Sequence, residues 1–379
     1  MIDQKKFVNA LYNNGVEFFC GVPDSYLNAF CTYIMENVTP SKNVIAANEG
    51  NAVAIAAGYY FATGTVPLVY MQNSGMGNAL NPLVSLVDKH VYSVPMVLLI
   101  GWRGEPSTND HAQHKTQGEI TTRLLDMLSI PYQVVIDDDS LIEETVEWAV
   151  RTALDISTPT ALIAPKGVFA EKKKKPPLDD SYPMSREDVI KVTLDNTPKD
   201  TLFVATTGRA TRELYFLRNE RGETHENDIL NVGSMGHASS IAIGLALANK
   251  DRLVVCLDGD SAAIMHMGAL TMASRYELPN LLHIILNNGA HESVGGQPSA
   301  GHLIDFADIA KSCGYRAKTV DTEESLISAL KEFSDGKAAS LINVRIRQGM
   351  RPVLPPLKID HNKLISDFMK KNSVKGNGN

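Results

Sequence analysis

Short apolar runs alternate with longer mixed stretches along most of the chain. The apolar runs are rich in β-branched residues, and polar residues or glycine follow them. We predict strands at residues 16–22, 43–47, 66–72, 94–101, 201–208, 228–233, 252–258, 280–288 and 340–346. Continuous apolar strands separated by helices are typical of mostly parallel sheets with helices on both faces, so the pattern predicts an α/β fold.

Helical stretches lie between the predicted strands. The clearest cover residues 51–64, 240–250 and 269–278, and Gly64 stands where a helix would end. A further helix is expected over the dozen residues after Ser261.

A charged and proline-rich stretch divides the chain into two halves of similar pattern. It contains four consecutive lysines at 172–175 and has no apolar periodicity. We interpret 171–184 as an exposed linker between a first domain, 1–170, and a second domain, 185–360. Residues 361–379 form a C-terminal tail, which we expect to be disordered after Lys371.

Composition narrows the class of protein. The 379 residues are 44% hydrophobic and 21% charged, which is typical of a soluble globular protein with two domains. The net charge of −7 disfavours a nucleic-acid partner, and the longest apolar run, "VPMVLLIGW", is too short to span a membrane. Four cysteines without metal-binding spacing and an N-terminus without a signal-peptide core predict a cytoplasmic location.

Polar loops follow several of the predicted strands. In parallel α/β sheets, ligands bind at the carboxyl ends of the strands, so these loops mark the predicted site. They are Asn48-Glu49, Asn73-Ser74-Gly75, Thr207-Gly208-Arg209, Gly233-Ser234-Met235-Gly236, Gly259-Asp260-Ser261 and Asn287-Asn288.

The acid Asp260 lies between a buried strand and a helical pattern. Helix capping by Asp260 or Ser261 would explain it, whereas the helical pattern that follows disfavours a hairpin turn. A second feature favours a ligand site: Asn287-Asn288 ends another apolar strand, with 25 residues between Ser261 and Asn287. Carboxylate and amide oxygens are ligands that Mg²⁺ accepts, and N–H groups at a helix start bind phosphate. We therefore predict a metal and phosphate site.

The arrangement "GDS", 25 residues, then "NN" resembles the GDG…NN motif of thiamine diphosphate-dependent enzymes, with Ser261 at the usual second glycine. The resemblance implies thiamine diphosphate and Mg²⁺ as cofactors. Asp260 and Asn288 would bind the ion through their side chains and Ala290 through its backbone carbonyl. It also implies two domains of the thiamine-diphosphate-binding fold: a pyrimidine-binding domain followed by a diphosphate-binding domain.

In this family a glutamate that ends the second strand of the first domain hydrogen-bonds N1′ of the aminopyrimidine, and Glu49 takes that position. Apolar neighbours should raise its pKa and favour the protonated form; the alternative is a first-turn glutamate that complements the helix dipole. Met235 matches the bulky residue beneath the cofactor, with a core methionine as the alternative. We expect further cofactor contacts from Asn73, Thr207, Gly208, Ser234, Gly259 and Ser261.

The resemblance also concerns assembly and substrate. In the family, the glutamate and the diphosphate site of one active centre come from different subunits, which implies a homo-oligomer with active sites at subunit interfaces. The segments "GWRGEPSTNDHAQHKTQG" and "NNGAHESVGGQPS" resemble the phosphonopyruvate decarboxylases and their relatives, the sulfopyruvate decarboxylases.

This likeness implies decarboxylation of 3-phosphonopyruvate to phosphonoacetaldehyde and CO₂ in phosphonate biosynthesis. Sulfopyruvate or another 2-oxo acid is the alternative substrate, because phosphonate and sulfonate present three oxygens to the same donors. A second alternative is a non-catalytic thiamine-fold binding subunit. The presence of Glu49, Asp260 and Asn288 together disfavours it.

A small anionic 2-oxo acid needs local cations in a protein of net charge −7. The predicted loop 103–115 carries several donors, and we expect it to form a lid over the anion; an ordinary solvated loop is the alternative. Helix capping explains Asp24-Ser25, yet Ser25 could donate to the phosphonate and Asp24 could assist proton transfer. The candidate substrate-binding residues are Ser25, Arg103 and Lys115, and the candidate catalytic residues besides Glu49 are Asp24, His111 and His114.

Overall fold

The computed structural model of the chain describes residues 1–106, 108–170, 178–333, 335–355, 357 and 359–373. The chain divides into two compact units. The first comprises Met1–Pro176 and Ser293–Gln297, and the second comprises Pro177–Glu292 and Pro298–Asn379. The division along the chain falls in the predicted linker 171–184, whose residues 171–177, with the four lysines, lie outside the described residues.

The first unit is built on a parallel six-stranded sheet. Its strands are β1 (Phe19–Gly21), β2 (Asn43–Ile45), β3 (Leu68–Gln72), β4 (Val97–Gly101), β5 (Tyr132–Val134) and β6 (Thr160–Ala164). Its helices are α1 (Gln4–Asn13), α2 (Asn28–Asn37), α3 (Glu49–Thr63), α4 (Met76–Ser85), α5 (Ala112–Met127) and α6 (Ile142–Ile156). Short 3₁₀ turns cover Pro40–Lys42, Asn73–Gly75 and Asp139–Leu141. The strand order is β2-β1-β3-β4-β6-β5.

The second unit repeats this architecture. Its sheet strands are β7 (Leu202–Ala205), β8 (Asp228–Leu230), β9 (Val254–Gly259), β10 (Leu281–Asn287), β13 (Arg316–Val320) and β14 (Ser340–Arg345). Two short strands, β11 (Ala290–His291) and β12 (Gln297–Pro298), follow β10 along the chain. The helices are α7 (Arg186–Asp195), α8 (Arg209–Glu220), α9 (Ala238–Ala248), α10 (Asp260–Met265), α11 (Leu270–Arg275), α12 (Phe306–Ser312), α13 (Glu323–Phe333) and α14 (His361–Asn372). The sheet order is β13-β14-β10-β9-β7-β8.

Both sheets carry a hydrophobic core on each face. Successive side chains of a strand point to opposite faces. In β4, Val97 and Leu99 therefore pack in one core, while Leu98 and Ile100 pack in the other. This double burial explains why the strands are apolar without alternation. The predicted α/β fold of two mostly parallel sheets is confirmed.

The strand order also locates a crevice in each unit. Along each sheet, the strands follow the order second, first, third, fourth, sixth, fifth. The direction of winding reverses between the first and third strands, and ligands bind in α/β sheets at such points, beyond the carboxyl ends. The relevant ends are those of β1 and β3 in the first unit and of β7 and β9 in the second.

Some elements differ from the sequence prediction. Strands β5, β6, β11, β12 and β13 were not predicted. Strands β5, β11 and β12 are only two or three residues long and β13 contains charged residues, whereas β6 is a fully buried apolar run that the prediction missed. The helix expected after Ser261 breaks after Met265 and resumes at Leu270. Gly64 ends α3 in the left-handed conformation, as predicted.

The C-terminal residues also differ from the predicted tail. Residues His361–Asn372 form α14, and Phe368 of this helix is buried in a core of the second unit. Its apolar residues Leu364, Ile365, Phe368 and Met369 have helical spacing, so this helix was predictable from the sequence. Among the described residues, no helix has the length and apolar character needed to cross a bilayer.

Candidate active site

In the second unit, Asp260 is the first residue of α10, directly after β9, and only 2% of it is exposed. Its Oδ2 accepts a hydrogen bond from the Ser299 hydroxyl. Burial raises the pKa of the Asp260 carboxyl to about 6, although hydrogen bonds oppose this shift. Among the described residues, no arginine or lysine pairs with it. A buried acid without a cationic partner is well suited to hold a metal ion.

The two asparagines after the apolar run of β10 have different surroundings. Asn287 Nδ2 donates to the carbonyl of Gly301 at 2.8 Å and to Asn343 Oδ1 at 3.2 Å, which ties this side chain into the fold. Asn288 Nδ2 donates to Glu292 Oε2 at 2.9 Å, and Asn288 Oδ1 accepts the N–H of Ala290 at 3.1 Å. A carbonyl oxygen has two lone pairs, so Asn288 Oδ1 keeps the capacity for a metal ion.

Gly301 is close to the side chains of both Asp260 and Asn287. A Cβ atom at Gly301 would overlap Asp260 Oδ2 and would lie 2.6 Å from Asn287 Oδ1. The backbone of Gly301 therefore lies against both side chains, which are far apart in sequence. The structure thus brings the side chains of Asp260 and Asn287 to one place, and the predicted ligand Asn288 follows Asn287 directly along the chain.

Unpaired polar atoms accumulate near the same strand ends. Among the buried side-chain atoms that have no hydrogen-bond partner within the described residues, three follow strands of the second unit: Thr206 Oγ1 after β7, Asn231 Nδ2 after β8 and Ser261 Oγ after β9. Buried polar atoms are nearly always paired, so these atoms call for a polar ligand. Hydroxyl donors beside a buried acid that lacks a cationic partner fit a diphosphate with its metal ion. The hydroxyl of Ser261, at the usual glycine position, adds a donor.

The other predicted cofactor contacts lie in adjacent loops. Thr207 and Gly208 follow β7, and Gly208 has a φ of +100°, which few residues besides glycine adopt. Ser234 is exposed and Met235 is half-buried in the loop after β8. Met235 lies outside the hydrophobic cores that the described residues of the second unit form, so its side chain is not the core methionine of the alternative interpretation.

In the first unit, Glu49 is the first residue of α3 and is 5% exposed. Asn78 Nδ2 donates to its Oε2 at 2.7 Å. Burial raises the pKa of the Glu49 carboxyl, and the hydrogen bond from Asn78 opposes that shift. A first-turn glutamate that only complements the helix dipole would be exposed, so this burial agrees with the predicted catalytic role.

Asn73 directly follows strand β3 of the same sheet, in the 3₁₀ turn Asn73–Gly75. Its Nδ2 donates to the Arg103 carbonyl at 2.8 Å and to Thr121 Oγ1 at 2.9 Å, and its Oδ1 accepts the Arg103 N–H at 3.2 Å. Both donors of this amide are therefore used within the unit. The side chain of Asn73 joins the ends of β3 and β4, which sequence patterns did not indicate.

Gly75 gives a direct test of how Glu49 is held. Its φ of −72° suits alanine, but a Cβ atom there would overlap the Glu49 carboxyl group. We expect Gly75→Ala to displace this side chain and to lower kcat about 10²-fold, the loss that a misplacement of about 1 Å can cause. The matched control is Gly77→Ala, two residues further on in α4, whose Cβ meets no atom within 4 Å. Equal activity of the two variants would contradict the prediction.

Asp24 is fully buried after β1. Its Oδ2 accepts the N–H of Tyr26 at 3.0 Å. Burial raises the pKa of the Asp24 carboxyl to about 6, although the positive charge of Arg103 lowers it. The Arg103 guanidinium in turn donates to the hydroxyl of Ser25 at 3.0 Å. The structure thus brings together Asp24, Ser25 and Arg103, and it gives Asp24 a pKa suited to proton transfer near neutral pH.

The raised pKa of Asp24 predicts a pH-dependent stability. Between the unfolded value of 3.8 and the folded value of about 6, the folded state binds the proton more tightly, so stability falls as pH rises through this window. Above it, the buried carboxylate costs on the order of 3 kcal/mol. We expect Asp24→Asn to raise Tm at pH 8 more than at pH 5, as measured by calorimetry. Ser25→Ala, which keeps the acid, should show the wild-type pH trend; the same trend in Asp24→Asn would refute this prediction.

The predicted anion lid is corrected in two respects. Arg103 forms a bidentate pair with Asp110, at 2.7 Å from Nε and 2.6 Å from a terminal nitrogen, so its charge is already balanced. Burial and Arg103 lower the pKa of His114 to about 4, which makes this imidazole neutral at pH 7. The sequence pattern showed that Arg103 and His114 are basic. It did not show that Asp110 pairs with Arg103 or that His114 is partly buried.

The segment is also shorter than the predicted loop, because α5 begins at Ala112. His114 and Lys115 therefore lie in the first turn of a helix. His111 and Lys115 are exposed, and Ser107 lies outside the described residues. Of the basic residues in this segment that were predicted to bind the anion, Lys115 is therefore the exposed one.

Both halves of the chain match families of thiamine pyrophosphate enzymes. The family described as "Thiamine pyrophosphate enzyme, N-terminal TPP binding domain" matches residues 4–125. The family described as "Thiamine pyrophosphate enzyme, C-terminal TPP binding domain" matches residues 207–344. Fold, site and family matches thus define a thiamine diphosphate-dependent enzyme, which confirms the predicted cofactor.

Three relatives show which type of thiamine diphosphate-dependent enzyme the chain is similar to. A phosphonopyruvate decarboxylase of Streptomyces viridochromogenes is 30% identical over 95% of this chain and 93% of its own length. A sulfopyruvate decarboxylase of Methanosarcina acetivorans is 27% identical over 91% and 92%. The sulfopyruvate decarboxylase subunit beta of Methanocaldococcus jannaschii is 35% identical over 41% of this chain and 77% of its own. The chain belongs to the thiamine diphosphate-dependent decarboxylases of the phosphonopyruvate and sulfopyruvate type.

Proposed function

We propose that the enzyme decarboxylates 3-phosphonopyruvate to phosphonoacetaldehyde and CO₂ and serves phosphonate biosynthesis. In this reaction the bond between the carboxylate and the keto carbon breaks, CO₂ leaves, and a proton is added at the former keto carbon. The supporting observation is the 30% identity to a phosphonopyruvate decarboxylase over 95% of the chain.

The cofactor site of the proposal lies in the second unit. Asp260 and Asn288 would hold Mg²⁺ through side-chain oxygens, and Ala290 would hold it through its backbone carbonyl. Hydroxyl and backbone donors of the loops after β7, β8 and β9 would hold the diphosphate. These are Thr207, Gly208, Ser234, Gly259 and Ser261. Met235, half-buried beside them, would support the cofactor ring.

Two buried acids of the first unit would donate or accept protons in the reaction. Thiamine diphosphate, when bound, supplies the electron sink that decarboxylation requires. Glu49, whose pKa is raised by burial, would hold a proton toward N1′ of the aminopyrimidine. Asp24, with a pKa of about 6, would supply or accept a proton near the reacting carbon, with His111 and His114 as further candidates.

The substrate anion would be bound by donors at the carboxyl ends of β1 and β4. Ser25 and Arg103 are joined by a hydrogen bond of 3.0 Å, and Lys115 is exposed in the first turn of α5. Because Asp110 balances the charge of Arg103, its guanidinium would act as a fixed hydrogen-bond donor, with Lys115 adding net charge.

Sulfopyruvate is the second candidate substrate, favoured by the nearly full-length likeness to the sulfopyruvate decarboxylase of M. acetivorans. The deciding experiment measures CO₂ release from each acid, using protein stripped of cofactor and then supplied with thiamine diphosphate and Mg²⁺. We expect kcat/KM to be highest for 3-phosphonopyruvate and activity to require both additions. A higher kcat/KM for sulfopyruvate would replace the proposed substrate, and activity in chelator would remove the metal from the proposal.

We also propose that the enzyme is a cytoplasmic homo-oligomer. The unpaired state of all four cysteines supports a reducing compartment. A mixing experiment tests the shared active site. If Glu49 and Asp260 of one centre come from different subunits, two inactive variants, Glu49→Gln and Asp260→Ala, should regain activity when they are unfolded and refolded together. Lack of recovery, with light scattering showing mixed oligomers, would contradict the proposal.

A further inference from the structure

A buried carboxylate of the second unit contacts the proposed metal ligand Asn288. The side chain of Glu292 is 7% exposed, and its Oε2 accepts a hydrogen bond of 2.9 Å from Asn288 Nδ2. An ionised carboxylate only accepts hydrogen bonds, so the NH₂ end of the amide must face Glu292. Asn288 Oδ1 is thereby directed to the opposite side, where it also accepts the N–H of Ala290.

Two arginines hold Glu292 in this position. Arg209 pairs with its Oε1 at 2.5 Å, and Arg186 pairs with its Oε2 at 3.1 Å. The N–H of Gly349 also donates to Oε1, at 2.5 Å. Arg186 makes a second, bidentate pair with Glu213, at 2.7 and 2.8 Å. Two positive and two negative charges thus balance in a largely buried cluster, which keeps the Glu292 carboxylate fixed.

We propose that Glu292 is a positioning residue that sets the metal affinity of the site through Asn288. The inference rests on the proposed function, in which Asn288 is a ligand of Mg²⁺. An amide binds a cation only through its oxygen, so the orientation of this one side chain decides whether a ligand is present. Glu292 selects that orientation without touching the ion. Partners of this kind typically change metal affinity by about 10–100-fold.

Glu292→Gln is the central test, because glutamine keeps the shape and changes the hydrogen bonding. Its carbonyl would pair with the arginines and its NH₂ group would face Asn288, which favours the reversed amide. With excess thiamine diphosphate, we expect the Kd for Mn²⁺, measured by electron paramagnetic resonance, to rise about 10–100-fold. Unchanged Mn²⁺ affinity in this variant, with normal binding by the wild type, would overturn the inference and leave the proposed function intact. Failure of the wild type to bind Mn²⁺ would overturn the proposed function itself.

Two further variants separate this role from a loss of folding. Asp228→Asn breaks another buried acid–arginine pair of the same unit, with Arg218 at 3.0 Å. It should lower Tm without changing the Kd for Mn²⁺, and a rise equal to that of Glu292→Gln would contradict the inference. Arg209→Lys keeps the acid and the charge but loses the 3.0 Å hydrogen bond to the Glu292 carbonyl. It should weaken Mn²⁺ binding by a smaller factor than Glu292→Gln does. An unchanged Kd would contradict the role of Arg209 in holding Glu292.

A double variant tests whether a restored hydrogen bond between positions 288 and 292 rescues Mn²⁺ binding. Asn288→Asp places a second carboxylate against Glu292, and the repulsion should weaken Mn²⁺ binding. In Asn288→Asp/Glu292→Gln, the glutamine NH₂ can donate to the new carboxylate. We therefore expect the double variant to bind Mn²⁺ more tightly than either single variant. Weaker binding than both would mean that Glu292 acts only on the fold, contrary to the inference.

Discussion

Glu49→Gln is expected to lower kcat by about 10²-fold or more while the Kd for thiamine diphosphate changes little. Glutamine fills the same buried space and can still accept the hydrogen bond from Asn78, which is 2.7 Å long in the wild type. It cannot transfer a proton, so the loss should appear in kcat rather than in cofactor binding. Steady-state kinetics and a cofactor titration, monitored by circular dichroism, measure the two quantities separately.

The control for this variant addresses the simpler role of a glutamate at a helix start. Glu143→Gln removes an exposed first-turn glutamate from α6 of the same unit. If Glu49 only complemented the helix dipole, both variants would lose a few tenths of a kcal/mol of stability and keep their activity. A kcat for Glu49→Gln within threefold of the wild-type value would remove this residue from the mechanism.

Asp260→Ala is expected to abolish Mg²⁺-dependent retention of thiamine diphosphate. The acid is 2% exposed, and no arginine or lysine among the described residues pairs with it, so a metal ion would be its main counter-charge. Loss of one anionic ligand should raise the Kd for the cofactor in the presence of Mg²⁺ by at least about 10²-fold, the order of a few kcal/mol. Gel filtration followed by assay of bound thiamine diphosphate measures retention.

The conservative variant Asp260→Asn separates lost charge from lost volume. It removes an uncompensated buried charge, so the cofactor-free protein should keep or raise its Tm. Cofactor retention should nevertheless fall almost as far as in the alanine variant. If Asp260→Ala still retained cofactor in the presence of chelator, the metal site would have to lie elsewhere.

The candidate site was predictable to the extent that it depends on position along the chain. Asp260 and Asn288 each follow an apolar run, and parallel strands bring such ends to one edge of a sheet. Glu49 was predictable for the same reason, since it stands between β2 and α3. Their partners Asn78, Glu292 and Ser299 carried no signal, because hydrogen bonds between loops depend on backbone paths that spacing does not encode.

The predicted anion lid shows where residue type alone misleads. Arg103, His114 and Lys115 appear as three cations in one segment, yet of the three only Lys115 is exposed after folding. Asp110 neutralises Arg103, and burial keeps His114 uncharged. Whether a basic side chain is charged and accessible depends on its neighbours in space.

The sequence by itself determined the two-unit α/β architecture, the helix end at Gly64 and the strand ends at which the acids and amides lie. These features depend on apolar periodicity, on the conformational freedom of glycine and on the spacing of polar residues, all of which can be read from neighbouring positions in the sequence. Only the tertiary structure decided which buried groups are paired, which pKa values rise, and which way the Asn288 amide faces. Those properties arise from desolvation and from contacts between residues distant in sequence, such as Asp260 with Ser299.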